Sequence, residues 1–136
     1  MKRLLFVCIE NSNRSQMAEA FARIHAERLG LEIEAVSAGS RPSGVVHPKA
    51  IAAMKELGYD LAAHRSKSLK EVESTPFDVV VTMGCGDACP FVKTQRRVDW
   101  QIPDPKSLPP REFNQIRDLV SKEVDKLLRE LAEAKS

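Results

Sequence analysis

Apolar and polar positions change period along this chain, and each change marks an element. Lys2–Val7 is a short apolar run and is predicted as a strand. From Ser12 the spacing turns helical: Met17, Ala18, Phe21, Ala22, His25 and Leu29 recur at intervals of three and four, and Gly30 ends the pattern. Leu31–Ser37 alternates and reads as a second strand. Gly39, Pro42, Gly44 and Pro48 mark a turn region. Pro48 suits the first turn of a helix running to about Leu57 and closed by Gly58. Phe77–Thr82 is a β-branched run typical of a buried strand. A loop rich in Gly and Cys covers Gly84–Pro90, and Arg97–Ile102 is expected to form a last strand. Pro109 or Pro110 opens a final helix, with Phe113, Ile116, Leu119, Val120, Val124, Leu127, Leu128 and Leu131 on one stripe.

Strands alternating with helices predict an α/β fold, a parallel four-stranded sheet flanked by helices. The 136 residues suit one domain, 1–136, with no repeat or linker. Ligands of such sheets bind beyond the carboxyl ends of the strands. The loops after Val7 and Thr82 and the segment near Asp104 all fall on that edge.

A formal net charge of +2 does not suggest nucleic-acid or membrane binding. Lys93–Arg97 holds three cations, read as a solvated loop face that could also draw in a small anion. The apolar start, Leu4 to Ile9, is far short of the ~20 residues that span a bilayer. A cytoplasmic location is expected. Three cysteines, Cys8, Cys85 and Cys89, form an odd and sparse set. That argues against a secreted disulfide scaffold and for free, ligating or catalytic thiols.

Cys8-Ile9-Glu10-Asn11-Ser12-Asn13-Arg14-Ser15 joins the first strand to the first helix. A short loop ending on a helix N-terminus turns its backbone N–H groups toward a tetrahedral anion. Arg14 adds a planar fork for two oxygens of that anion. The same surroundings favour a thiolate at Cys8, and Ser15 can donate to its sulfur. The predicted site is thus a nucleophile, Cys8, in an oxyanion cradle of Ile9, Glu10, Asn11, Ser12, Asn13, Arg14 and Ser15. The plain alternative is a cysteine that merely packs at a strand end. Asp104, before Pro105, is a candidate proton donor for a leaving oxygen, or simply a turn-starting Asp. Asp99 is its rival, but its strand position suits structure better.

Cys85 and Cys89 are four residues apart, with Gly84 and Gly86 between and before them. On one helical turn they would share a side, within reach of a bridge after modest backbone movement. Exchange could then run from Cys8 to Cys85 to Cys89. Two other readings stay open: zinc bound with His47 or His64, or a lone reactive Cys8 beside ordinary loop cysteines. His25, His47 and His64 are assigned structural rather than catalytic roles.

Cys8–Ser15 followed by Gln16-Met17-Ala18-Glu19-Ala20, together with Ser37-Ala38-Gly39-Ser40, His64–Leu69, Thr82–Cys85 and Asp104-Pro105, resembles the thioredoxin-coupled arsenate reductases. These share the low-molecular-weight tyrosine phosphatase fold. The resemblance covers nearly the whole chain. It implies that Cys8 attacks arsenate, Arg14 holds its oxygens and Asp104 protonates the departing oxygen. It further implies that Cys85 attacks Cys8 to release arsenite, that Cys89 moves the disulfide to Cys85–Cys89, and that thioredoxin reduces it. No bound cofactor, no nucleic acid and no membrane partner are implied; phosphate and sulfate would compete, and a monomer is the default.

The chain departs from the family pattern at several places. Glu10 stands where the family usually has Gly, and Asn13 where it usually has Cys. Many members space the relay cysteines further apart, and Gly84–Pro90 is also similar to mycothiol-coupled relatives that need only the first thiol. Some members bind potassium through an acidic residue where Lys67 stands, so no metal site is expected. A phosphatase using Cys8, Arg14 and Asp104 is the main alternative; a non-enzymatic oxyanion sensor is the other.

Overall fold

A computed structural model describes residues 2–72, 74–83 and 94–134. Four parallel strands, β1 (Lys2–Cys8), β2 (Ile33–Gly39), β3 (Phe77–Thr82) and β4 (Thr94–Asp99), lie in the order β2-β1-β3-β4. Around them pack α1 (Arg14–Leu29), α2 (Pro48–Lys55) and α3 (Pro110–Ala134). Two short 3-10 turns, Leu61–Ala63 and Leu69–Glu71, precede β3.

The pleat of β1 divides the core. Leu4, Phe6 and Cys8 face a cluster with Met17 and Phe21 of α1 and Phe113, Val120, Val124 and Leu128 of α3. Leu5 and Val7 face the other side, with Ala38, Phe77, Val80 and Leu69. This alternation follows from successive side chains of a strand pointing to opposite faces. The predicted stripe on α3 is the face that is buried, with Ile116 and Leu119 packed at its margin.

Several boundaries differ from the sequence expectation. The last strand lies at Thr94–Asp99, three residues before Arg97–Ile102. As an edge strand, β4 exposes Gln95, Arg96 and Arg97, so it shows no apolar period. The apolar residues that suggested a later strand, Trp100 and Ile102, are buried beyond its end, Trp100 with its ring centroid 6.1 Å from Phe6. Helix α1 starts at Arg14 rather than Ser12, because Asn13 caps it by accepting from the Arg14 amide. At its end Gly30 takes a left-handed conformation (φ 68°), and Leu31 N–H donates to Ala26 O at 2.9 Å. Leu31 thus closes the helix, and β2 begins only at Ile33.

The order β2-β1-β3-β4 sets β1 between two parallel partners. Its carboxyl end, Cys8, stands opposite Gly39 of β2, with Thr82 of β3 beside Val7. The loops after β1, β2 and β4 therefore meet at one sheet edge.

Candidate active site

The loop Ile9–Asn13 runs from β1 into α1, and neighbouring segments hold its carbonyls. Ile9 O accepts from Arg41 N at 2.8 Å, Glu10 O from Ser43 N at 3.0 Å and Ser12 O from His47 N at 2.9 Å. Asn11 O accepts from Gln16 Nε2 at 3.1 Å, and Asn13 O takes the first helical bond from Met17 N at 2.9 Å. In trans peptides the N–H points opposite the C=O. The amides of Glu10, Asn11, Ser12 and Asn13 are therefore turned away from these partners, as an anion cradle requires. Asn11 makes the tight bend in a left-handed conformation, φ 51°, which Asn tolerates better than most residues. Gly39 lets the loop lie against β2: a Cβ there would come within 2.5 Å of Ile9 O and 2.9 Å of Asn11 N.

Cys8 is buried at the base, 2% exposed, its Sγ 2.9 Å from Ser15 Oγ. Asn11 Nδ2 donates to the same hydroxyl at 2.8 Å. Arg14 is buried too; its Nη1 donates to Ile102 O at 2.9 Å and its Nη2 lies 4.0 Å from Asp104 Oδ2. Its Nε–H is buried with no partner among the described residues, a donor that an oxyanion would satisfy. Asp104 reaches the loop from the other wall, accepting from Asn13 Nδ2 at 3.2 Å. It also accepts from Lys106 N at 3.1 Å, so it starts a turn and faces the cleft at once.

Cys8, Ile9, Glu10, Ser12, Asn13, Arg14, Arg41, Asp104 and Lys106 line one cleft of about 230 Å³. Most of the predicted cradle and the predicted acid therefore come together. Asn11 and Ser15 lie behind this surface, bracing the loop and the sulfur. Asp99 does not line the cleft: it accepts from Thr82 Oγ1 and from Gln101 Nε2, both at 2.8 Å. Cys85 and Cys89 lie outside the described residues.

Arg41 and Lys106 were not anticipated. Nor was a buried polar network behind the cradle. Gln16 Nε2 donates to Asn11 Oδ1 at 2.9 Å, and its Oε1 lies 3.0 Å from His64 Nδ1. Glu19 Oε2 is also 3.0 Å from that nitrogen, while His64 Nε2 is 2.6 Å from Tyr59 OH. Two acceptors face Nδ1, so Nδ1 carries the hydrogen and the tyrosine hydroxyl donates to Nε2. Burial holds His64 below the ordinary imidazole value, opposed by Glu19 and aided by Arg23 and Lys67. Lys67 Nζ lies 3.8 Å from Glu19 Oε1, and burial holds this ammonium below its usual value. Of the other histidines, His47 Nδ1 accepts from Lys49 N at 3.1 Å to cap α2, and His25 stacks on Phe21 at 5.7 Å.

Residues 3–136 match the family described as low molecular weight phosphotyrosine protein phosphatase. The chain belongs to that family. Among its relatives, a protein of Synechocystis named glutaredoxin arsenate reductase is 36% identical over 135 residues, covering 97% of this chain and 100% of its own. An arsenate reductase of Staphylococcus aureus strain Newman is 39% identical over 121 residues, covering 86% of this chain and 88% of its own. A solved structure of an arsenate reductase in the phosphate-binding state superposes with a TM-score of 0.84 at 36% identity, covering 96% of this chain and 98% of that one. That solved relative binds phosphate, a tetrahedral oxyanion.

Proposed function

We propose that this chain is an arsenate reductase whose first chemical step takes place at Cys8. The observation that carries the reading is the convergence of Cys8, Arg14 and Asp104 on one small cleft among whose described lining residues none is aromatic. Such a cleft suits a free tetrahedral oxyanion, and relatives named arsenate reductase match nearly the whole chain.

The Cys8 thiolate attacks arsenic, with the loop amides and Arg14 holding the oxygens. Asp104 gives its proton to the departing oxygen, which leaves as water. A sulfur–arsenic(V) bond remains. Cys85, as a thiolate, then attacks Cys8 Sγ. The sulfur–arsenic electron pair passes to arsenic, which leaves as arsenite, and a Cys8–Cys85 disulfide forms. Cys89 attacks Cys85, freeing Cys8 and leaving Cys85–Cys89. An external dithiol, of the thioredoxin kind, reduces that disulfide, and no resident cofactor is required. The roles of Cys85 and Cys89 rest on the sequence resemblance. A monomer suffices for this chemistry. Among the described residues no helix is long and apolar enough to cross a membrane, which fits work in the cytoplasm.

The name of the Synechocystis relative favours a second donor, glutaredoxin, which we take to work with a small thiol. Disulfide mapping by mass spectrometry after one arsenate turnover separates the two. A Cys85–Cys89 bridge supports the internal relay, and a small-thiol adduct at Cys8 supports the second donor. Failure of the reduced protein to consume arsenate overturns the reading, and strong phosphoester hydrolysis in its place would make the chain a phosphatase.

A further inference from the structure

Two charged residues span the cleft mouth from opposite walls. Glu10 is the second residue after Cys8 on the anion loop. Lys106 is two residues past Asp104 on the segment between β4 and α3. Both line the cleft, and Lys106 Nζ lies 3.5 Å from Glu10 Oε2. We propose that this pair is a bar that admits a free inorganic oxyanion and excludes phosphomonoesters.

The two side chains are about half exposed, at 52% and 39%. An exposed pair of this kind adds little to stability, so its significance lies in its position. Both anchors are held firmly. Glu10 O accepts from Ser43 N at 3.0 Å and from Ser66 Oγ at 3.1 Å. Lys106 N donates to Asp104 Oδ1 at 3.1 Å, and its carbonyl accepts from Lys49 Nζ at 2.9 Å. The ends of the bar are therefore carried on braced backbone.

In-line displacement by Cys8 sends the leaving oxygen away from the sulfur, toward the acid Asp104. On arsenate that oxygen bears at most a hydrogen. On a phosphomonoester it bears the whole organic substituent, which must leave the cleft beside Asp104. Lys106, two residues on, and its partner Glu10 stand at that exit. An ester must part the pair and leave two charges without each other, whereas a free oxyanion passes no group through it. Discrimination here comes from an element placed against the wrong substrate as well as from contacts to the right one.

The proposal rests on the reading of the cleft as an oxyanion-reducing site, and its test keeps the two apart. Hydrolysis of para-nitrophenyl phosphate is measured for the full chain and for Lys106→Met, Lys106→Arg, Glu10→Gln and the double variant Glu10→Gln/Lys106→Met. Arsenate consumption in a single turnover is measured for the full chain and for Lys106→Met. Opening the bar raises ester kcat/KM about fivefold in Lys106→Met and in Glu10→Gln, the upper end of what parting an exposed ion pair costs. The double variant gains no more than the better single one, because the pair acts as a unit. Lys106→Arg keeps the exclusion, and the single arsenate turnover of Lys106→Met stays within about threefold of the parent, as for an exposed charge that the reaction does not use. Unchanged ester hydrolysis in both single variants overturns the proposal. So does an equal gain on arsenate and ester in Lys106→Met, which would reduce the pair to a general electrostatic effect. A parent chain that consumes no arsenate overturns the reductase reading instead, and ester gains in the variants would leave the bar standing.

Discussion

Ser15 Oγ lies 2.9 Å from Cys8 Sγ while receiving a hydrogen bond from Asn11 Nδ2 at 2.8 Å. The amide engages one lone pair of the hydroxyl, and toward the attacking thiolate form of Cys8 the hydroxyl is the donor. A hydrogen bond to a charged acceptor contributes about 1.5–3 kcal/mol. Ser15→Ala is therefore expected to slow alkylation of Cys8 by iodoacetamide at pH 7 about tenfold or more. Alkylation at the parent rate would show that the hydroxyl does not support the nucleophile.

Asp104 meets the loop through Asn13 at 3.2 Å and lies 4.0 Å from Arg14. Asp104→Asn keeps this hydrogen-bonding shape but has no proton to give. The rate of the first arsenate step is expected to fall about 100-fold, within the range of general acid catalysis. Phosphate affinity, read by calorimetry, should hold or rise. A parental rate in single-turnover kinetics would assign the proton to another donor.

The close approach at Gly39 makes a different prediction. A methyl group there meets Ile9 O at 2.5 Å and Asn11 N at 2.9 Å, both backbone atoms. Gly39→Ala must displace the anion loop. The expected cost is about 1–3 kcal/mol of stability, seen in urea unfolding, with phosphate binding weakened in parallel. Loss of stability with unaltered phosphate affinity would show that the loop is not what moves.

His64 links the cradle to acid sensitivity. Burial holds it below the ordinary imidazole value, so the folded chain binds this proton less readily than the unfolded chain. Its contribution to stability is whole above about pH 6.5 and diminishes as the pH falls below that value. Urea unfolding should show lower stability at pH 5.5 than at pH 7.5, and a smaller difference in His64→Gln. His25 is displaced in the same direction, so some pH dependence persists. An identical loss in parent and variant would exclude His64 as a source.

The meeting of Cys8, Arg14 and Asp104 at one cleft was legible in the sequence, because a sheet edge gathers the residues that end its strands or follow them. Helix α3 was legible for a similar reason: its stripe has a period that burial enforces. The edge strand β4 was not, since an exposed strand carries no apolar alternation and the nearby Trp100 and Ile102 are buried in loop structure. Arg41 and Lys106 reach the cleft along irregular segments with no period to betray them. The Gln16, Glu19, Tyr59 and His64 network joins positions far apart in the chain. Only the path through α2 and the following 3-10 turn brings them together.

The register of β1 carries one further consequence. Cys8 ends a strand flanked on both sides by parallel partners and is 2% exposed. Such a residue belongs to the part of a fold that opens last. The reactive sulfur has no freedom to seek a reductant. Whatever thiol resolves its adduct must make the journey to it, so the speed of turnover is governed by the reach of that second thiol rather than by any motion of Cys8.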